Sequence, residues 1–502
     1  MISVSWLAIS ALLLALSFSS FNLGFLAWCA LVPLYLGLEH KALAKSLTIA
    51  FIWGVVFWSL TIYWLIHVTL LGQAILILYL SIYCGLFGAV VYFSRSLPVL
   101  IRLFFLPAAW VLLEYLRSYL FTGLPWAIIG FSQYRNLAVI QIADITGAWG
   151  VCFLVVLANT ALYLYFRRLA KIKLLLVCLG ILLAVLGYGL IKLMEPPPGH
   201  NDAQQIKVSV VQGNIPQDLK WDKRSTAFIH NRYRELTAGL APVKPELIIW
   251  PEASVPGLWG RDEDEFVQVF ALARQLDTNL LAGAVSYLEQ NYFNSALLVA
   301  PGGQVQEIYH KLHLVPFGEY VPLKRILPFL ETIAPIGDIT PGVEYTIFRL
   351  QAARHSDQSE RPVTFGVLIC FEDLFPELSR ELVKKGARFL VNITNDAWYK
   401  ESSAPYQHFA ASVFRAVENR LYLARCANTG VSGFIDPAGR ILRTVADAQG
   451  KETFVAGCLS QDIYLKENKR TVYNRYGDFF ILFCLLLDAC AIIYFVKDKK
   501  LK

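Results

Sequence analysis

The sequence predicts a bundle of membrane-spanning helices with a large α/β domain placed between its last two spans. Three observations support this prediction: long uncharged runs fill residues 1–193, alternating strand-like and helix-like segments fill residues 206–474, and another apolar run covers residues 479–496. The 502 residues are 56% hydrophobic and only 17% charged, whereas soluble domains carry about 25% charged residues. This composition is typical of an integral membrane protein.

Eight apolar segments are candidates for membrane-spanning helices. A helix needs about 20 apolar residues to cross a bilayer, and the first two segments are shorter than this. No charged side chain precedes Glu39, so the basic start of a signal peptide is missing and we expect the first segment to be retained as a span. The eight predicted spans are residues 2–18, 22–38, 47–67, 72–94, 103–121, 146–166, 172–193 and 479–496.

Lysine and arginine are unevenly distributed over the connections between these spans. They gather in every second loop and in the tail, that is, in residues 39–46, 95–102, 167–173 and 497–502. Because basic loops stay in the cytoplasm, we expect the α/β domain on the opposite side of the membrane. The net charge of +7 then reflects membrane topology, and no interleaving of basic and aromatic residues points to a nucleic-acid partner.

The chain between the seventh and eighth spans alternates strand and helix patterns. The tract EPPPGH ends the seventh span, so residues 194–205 are predicted to be a stiff linker. The predicted strands are residues 206–215, 245–253, 279–287, 294–301, 363–370, 387–394, 421–430 and 432–443, with a DPAG turn in the last. The predicted helices are residues 224–239, 265–276, 376–386 and 403–420. Such alternation indicates layered sheets and helices.

The cysteines give no sign of a disulfide framework or a zinc site. Only Cys370, Cys426 and Cys458 lie in the α/β domain, and no CxxC or Cys/His metal spacing occurs. We therefore expect neither a metal nor a cofactor. A reactive thiol in this domain would have few partners with which to oxidise.

Three predicted strand ends carry residues that form a coherent catalytic set. Glu252 follows a strand in IIWPEAS, Lys311 begins the loop that also holds Glu319, and Cys370 ends the strand FGVLIC. Singly, each is more often a packing thiol or a solvated charge. Together they provide a thiol nucleophile, a carboxylate base and a cation that stabilises an oxyanion with the N–H after Cys370. This set indicates an acyl-enzyme mechanism.

The motifs WPE, HKLHLVPFGEYVP and CFE, in this order, resemble the Glu-Lys-Cys triad of the nitrilase superfamily. With the eight spans and the stretches NIPQDLKW and ENRLYLARCANTGVSGFIDPAGR, the chain resembles the apolipoprotein N-acyltransferase family over essentially its whole length. The resemblance implies a four-layer αββα nitrilase-like domain on the periplasmic side of a bacterial inner membrane. It also implies acyl transfer from a membrane phospholipid to the N-terminal amine of a diacylglyceryl-cysteine apolipoprotein.

The resemblance assigns roles to individual residues. Glu252 is the general base, Lys311 the oxyanion stabiliser and Cys370 the nucleophile. Glu319 and Glu372 correspond to the family's additional acids. Trp221 corresponds to its aromatic residue in a mobile loop, and Phe371 to the residue after the nucleophile. The family commonly has tyrosine at the last of these positions, so we expect ring packing without a hydroxyl contact.

Two other functions remain compatible with parts of the sequence. A membrane-tethered nitrilase-like amidase would hydrolyse a small amide with the same triad, and a non-catalytic scaffold or lipid transporter would use the spans without it. Glu114 and Arg117 lie three residues apart in one span, and we expect a structural clamp between helices from them instead of a head-group site. We expect the protein to be a monomer.

Overall fold

The structure is a computed structural model that describes residues 4–169, 172–195, 204–321, 339–350, 362–465 and 469–501. It divides into two compact units. The first consists of Met1–Glu195 and Arg475–Lys502, and the second of Pro196–Asn474. Most of the predicted linker falls on residues 196–203, which lie outside the described residues.

Helices make up most of the first unit and cover part of the second. They are α1 Val4–Leu16, α2 Val32–Leu38, α3 Leu43–Thr61, α4 Leu70–Ser94, α5 Val99–Tyr119, α6 Leu137–Ile140, α7 Ala143–Thr146, α8 Ala148–Phe166, α9 Ile172–Met194, α10 Thr226–Ala238, α11 Val267–Leu276, α12 Pro376–Lys384, α13 Ala404–Asn419, α14 Val472–Tyr476 and α15 Phe479–Leu501. The predicted helices of the α/β domain correspond to α10–α13.

Within the described ranges, six helices are long and apolar enough to cross a membrane: α3, α4, α5, α8, α9 and α15. They correspond to the third to eighth predicted spans. The first predicted span is the 13-residue α1. The second is divided into a short 3-10 segment, Gly24–Trp28, and the seven-residue α2. The predicted count of eight spanning helices is therefore not confirmed.

The Asn159 side chain of α8 binds the backbone at the helix break before α2. The Leu31 N–H donates to Asn159 Oδ1 over 2.8 Å, and Asn159 Nδ2 donates to the Ala27 carbonyl over 2.8 Å. Pro33 stands in the first turn of α2 and lacks an N–H to continue an upstream helix. Because an unpaired peptide group is costly in apolar surroundings, this buried amide permits a break that hydropathy alone does not reveal.

The Glu114–Arg117 pair fastens α5 to the segment that follows it. Arg117 Nη1 donates to the carbonyls of Leu124 and Trp126 over 2.6 and 2.9 Å, and the Ile129 N–H donates to Glu114 Oε1 over 2.9 Å. Both side chains are buried, and their charged atoms lie 3.5 Å apart. The pair is a structural clamp that holds the following segment, and the Arg117 guanidinium also lies 5.1 Å from the centre of the Trp58 ring of α3.

The second unit is built on two sheets. Its strands are β1 Gln204–Gln212, β2 Leu247–Ile249, β3 Leu258–Trp259, β4 Asn279–Leu288, β5 Asn291–Val299, β6 Val305–His310, β7 Ile347–Arg349, β8 Thr364–Ile369, β9 Phe389–Thr394, β10 Leu423–Ala427, β11 Gly433–Ile435, β12 Ile441–Thr444 and β13 Gly457–Leu465. The order is β13-β1-β2-β4-β5-β6 in the first sheet, with β3 beside β4, and β12-β11-β10-β9-β8-β7 in the second.

The two sheets pack face to face and helices cover their outer faces. Val208 and Ile249 of the first sheet share one apolar core with Val367 and Ile393 of the second. Helices α10 and α11 pack on the other face of the first sheet, and α12 packs on β8, beside α13. The unit therefore has the four layers αββα, and its paired sheets bring strand ends from both sheets together.

Candidate active site

The three triad candidates follow three strands and meet in one buried cluster. Glu252 comes three residues after β2, Lys311 directly after β6 and Cys370 directly after β8. Their exposed fractions are only 8%, 1% and 8%. Lys311 Nζ lies 3.8 Å from Glu252 Oε1, and both charges act on the Cys370 thiol. The structure therefore brings together the three residues that the sequence singled out.

Cys370 occupies a strained elbow between β8 and the 3-10 segment Cys370–Leu374. Its φ of 53° is in the left-handed region, which costs a non-glycine residue about 1–2 kcal/mol. Its carbonyl oxygen lies 3.3 Å from Asn392 Nδ2 and 3.2 Å from His408 Nε2. The preceding Ile369 N–H donates to Glu372 Oε2 over 2.7 Å. These contacts hold the backbone in the conformation that directs the thiol towards the cluster.

Glu319 and Asn294 complete the immediate surroundings of Glu252 and Lys311. Lys311 Nζ lies 2.8 Å from Glu319 Oε2, and Asn294 Nδ2 donates to both Glu252 Oε1 and Glu319 Oε1 over 2.7 Å. Burial opposes the charge of Lys311, but Glu319 and Glu252 raise its pKa above the usual value. Lys311 is therefore held as an ammonium ion, and one amide fixes the spacing of the two carboxylates.

Glu372 is fully buried and joins the elbow to the segment that carries Lys311. Its Oε1 accepts hydrogen bonds from the Tyr309 hydroxyl at 2.8 Å, the Leu312 N–H at 2.7 Å and the His313 N–H at 3.1 Å. Burial raises the pKa of Glu372 to about 7, although these donors oppose the shift. Both carboxylate oxygens accept hydrogen bonds from the protein, so Glu372 ties the elbow to the segment of Lys311.

Trp221 and Phe371 lie in contrasting environments. Trp221 is 54% exposed in the loop after β1. Phe371 is buried at 4% exposure, and its ring centroid lies 5.1 Å from that of Phe375 and 5.9 Å from that of His313. Packing thus fixes the Phe371 ring, which carries no hydroxyl.

A buried ionic network lies under the elbow. His408 Nε2 and Nδ1 each lie 2.9 Å from a carboxylate, that of Asp373 and that of Asp396 respectively. Arg425 contacts the same two carboxylates at 2.7 and 3.4 Å. Burial and Arg425 oppose the charge of His408, yet the two aspartates raise its pKa to about 9. His408 is therefore protonated at neutral pH and helps to hold the Cys370 carbonyl.

Lys220 is a further buried residue of the site that sequence patterns did not reveal. Its exposed fraction is 4%, and its Nζ donates to the backbone carbonyl of Glu252 over 2.9 Å. The only local signal was its position beside Trp221 in the stretch NIPQDLKW. Burial of that lysine next to the catalytic cluster follows from the tertiary structure alone.

Comparison with known protein families shows the class to which this protein belongs. Residues 207–465 match the carbon-nitrogen hydrolase family, and residues 10–161 match the apolipoprotein N-acyltransferase N-terminal domain. The second unit is thus a nitrilase-like α/β domain in a membrane protein. The chain belongs to the apolipoprotein N-acyltransferase family.

Two curated relatives illustrate the extent of the similarity. The apolipoprotein N-acyltransferase of Geobacter metallireducens is 38% identical, and the match covers 95% of this chain and 92% of the relative. That of Chlorobaculum tepidum is 30% identical over 98% of this chain and 96% of the relative. Among solved structures, an amidase from Nesterenkonia sp. is 18% identical with a TM-score of 0.39, covering 55% of this chain and 94% of the amidase.

Proposed function

We propose that the protein transfers an acyl chain from a membrane phospholipid, through a thioester on Cys370, to the N-terminal amine of a diacylglyceryl-cysteine apolipoprotein. The buried cluster of Glu252, Lys311 and Cys370, in a chain of this family, carries the proposal. Each triad residue has a chemical task that the reaction requires. All three come from one chain, so we propose that the active form is a monomer.

The first half-reaction acylates the enzyme. Burial and the neighbouring Glu252 raise the pKa of the Cys370 thiol well above its usual value, so the sulfur rests as a thiol and needs a base. Glu252 takes the thiol proton while Sγ bonds to the ester carbonyl carbon, and Lys311 and the Phe371 N–H stabilise the oxyanion. The ester C–O bond then breaks, Glu252 returns the proton to the leaving oxygen, and the lysophospholipid departs.

The second half-reaction forms the amide. The neutral amine of the apolipoprotein attacks the thioester carbon, and Glu252 accepts a proton from the amine nitrogen. The oxyanion is stabilised by the same two donors. When the C–S bond breaks, Glu252 gives the proton to sulfur, which restores the Cys370 thiol.

We propose that the catalytic domain, residues 206–474, faces the periplasm of a bacterial inner membrane. Alternation of the six long helices puts all the basic loops and the tail 497–502 on one side, opposite this domain. Helix α1 and residues 24–38 precede the six long helices. If both cross the membrane, or if neither does, the side assigned to the catalytic domain is the same. We propose that they complete a bundle of eight spans, with the domain between the seventh and the eighth.

The thioester on Cys370 is the intermediate that tests this function. We expect purified protein mixed with phospholipid vesicles, in the absence of an amine acceptor, to gain a fatty-acyl adduct on Cys370 that neutral hydroxylamine removes. Peptide mass spectrometry locates the adduct. Cys370→Ser should lack the labile adduct, whereas Cys426→Ser, which removes another buried thiol, should retain it. A small polar adduct formed from an amide, without any fatty-acyl adduct, would instead support the amidase.

Gly283 on β4 leaves no room for a side chain beside the turn that carries the base. A Cβ there would stand 2.3 Å from the Pro251 carbonyl oxygen and 2.6 Å from Glu252 Cα. Since these are backbone atoms, Gly283→Ala must displace Glu252, and we expect the rate of thioester formation to fall about tenfold or more. Gly239→Ala, whose nearest contact would be 3.4 Å, is the matched control. Equal rates for the two variants would contradict a precise placement of Glu252.

A further inference from the structure

Lys220 is a second buried lysine at the catalytic cluster, and the mechanism above does not use it. Its side chain is 4% exposed, and its Nζ lies 2.9 Å from the carbonyl oxygen of Glu252. Its charge acts on both Glu252 and Cys370. A buried ammonium ion is costly unless opposite charges compensate it, so its position next to the base calls for a role in the site.

Lys311 alone does not balance the two carboxylates that lie closest to it. Glu252 and Glu319 contribute two negative charges, and Lys311 supplies one positive charge close to both. The Cys370 thiol interacts electrostatically with the charges of Glu252, Lys311, Asp396 and Lys220, and with the neutral Tyr399 hydroxyl. Asp396 is already compensated by His408 and Arg425. Lys220 therefore offsets the charge of Glu252, whose carboxylate otherwise opposes negative charge on the Cys370 sulfur.

Lys220 also fastens one end of the loop that bears Trp221. At the other end, the Ile215 N–H donates to Asn428 Oδ1 over 2.9 Å, and Asn395 Nδ2 donates to Gln217 Oε1 over 2.7 Å. These contacts tie the loop to strand ends of the second sheet, whereas Lys220 ties it to the Glu252 turn of the first. The position of the exposed Trp221 is thus coupled to the base.

We propose that Lys220 is a positioning residue of the acyl transfer. Its ammonium group offsets the negative charge of Glu252 beside Cys370, and it anchors the Trp221 loop to the Glu252 turn. The role in acyl transfer rests on the function proposed above. Burial lowers the pKa of Lys220 to about 8, against the opposing effects of Glu252 and Cys370. Its charge is therefore present at neutral pH and is lost in alkaline solution.

The rate of Cys370 alkylation by iodoacetamide, measured against pH, tests the charge without any lipid. For Lys220→Met we expect about a tenfold lower rate per folded molecule at pH 7, where Lys220 of the wild type is charged. Lys220→Arg keeps the charge and should keep the wild-type rate at pH 7. Lys223→Met removes an exposed lysine of the same loop and should leave the profile unchanged. The difference in alkylation rate between the wild type and Lys220→Met should narrow above about pH 9, where Lys220 is itself neutral.

Rates are compared per folded molecule, with folding checked by circular dichroism and gel filtration, because a purely structural role would lower the folded fraction and would not give a rate difference that closes as the pH rises. An unchanged profile in Lys220→Met would overturn the proposal, as would an equal loss of rate in Lys220→Arg. Absence of a fatty-acyl adduct on wild-type Cys370 would refute the proposed function but leave the alkylation result standing.

Discussion

Lys311→Met is expected to suppress acyl transfer and to destabilise the catalytic domain at the same time. The Lys311 side chain is 1% exposed and contacts Glu319 at 2.8 Å and Glu252 at 3.8 Å. Because the variant lacks the cation that faces the oxyanion, we expect thioester formation to be about 10²–10³-fold slower. It also leaves two buried carboxylates short of a partner, at a cost of about 3–5 kcal/mol in the free energy of unfolding.

The double variant Lys311→Met/Glu319→Gln separates these two effects. It removes one carboxylate together with the lysine, so Glu252 keeps the positive charge of Lys220 close by. We expect unfolding in detergent micelles to move back towards the wild-type temperature, while thioester formation, followed by mass spectrometry, stays suppressed. Recovery of the wild-type rate in the double variant would show that Lys311 acts only by balancing charge and is not the oxyanion donor.

The catalytic cluster could be predicted where local sequence determines position. Glu252, Lys311 and Cys370 each follow a β-rich run and precede turn-forming or helix-starting residues, so their places at strand ends follow from the pattern itself. Strands β2 and β6 run in one direction in the first sheet, so Glu252 and Lys311 come to the same edge, whereas Cys370 follows a strand of the second sheet. Their mutual distances depend on the packing of two sheets and required the structure.

The supporting residues could not be predicted, because burial gives them their roles. His408 lies in the amphipathic helix α13, and Asp396 stands in a turn where aspartate is common. Lys220 has the appearance of a solvated loop lysine. Each is 4% exposed or less in the structure, and only the approach of other elements pairs it with an opposite charge or a carbonyl. A single sequence carries no periodic signal for such contacts.

Some elements of the fold were also beyond the sequence pattern. Strand β13 pairs with β1 over nine residues, yet it alternates partly exposed polar and apolar positions and was not predicted. The second predicted span contains a break between Trp28 and Val32, where Asn159 satisfies the backbone. Hydropathy measures composition along the chain and does not detect a backbone break that a distant side chain stabilises.

The catalytic domain is expected to lose stability as the pH rises from about 6.5 to about 9, because His408 loses its proton over this range. Its pKa is raised from 6.5 to about 9 in the folded protein. A group whose pKa is raised on folding stabilises fully below its unfolded pKa, and this contribution disappears as the pH passes the folded value. The shift corresponds to about 3 kcal/mol, which thermal unfolding at a series of pH values would reveal as a falling unfolding temperature.

His408→Gln removes the titrating group and leaves Asp373 and Asp396 with Arg425 alone. We expect this variant to be less stable than wild type near pH 6.5 and to show little further loss up to pH 9, so that the two curves converge at high pH. His310→Gln is the control, because burial lowers the pKa of His310 and it does not titrate in this window. Since His408 also contacts the carbonyl of Cys370, alkylation of the thiol should slow in His408→Gln and stay normal in His310→Gln. A His408→Gln protein with the wild-type pH slope would assign the titration to another group.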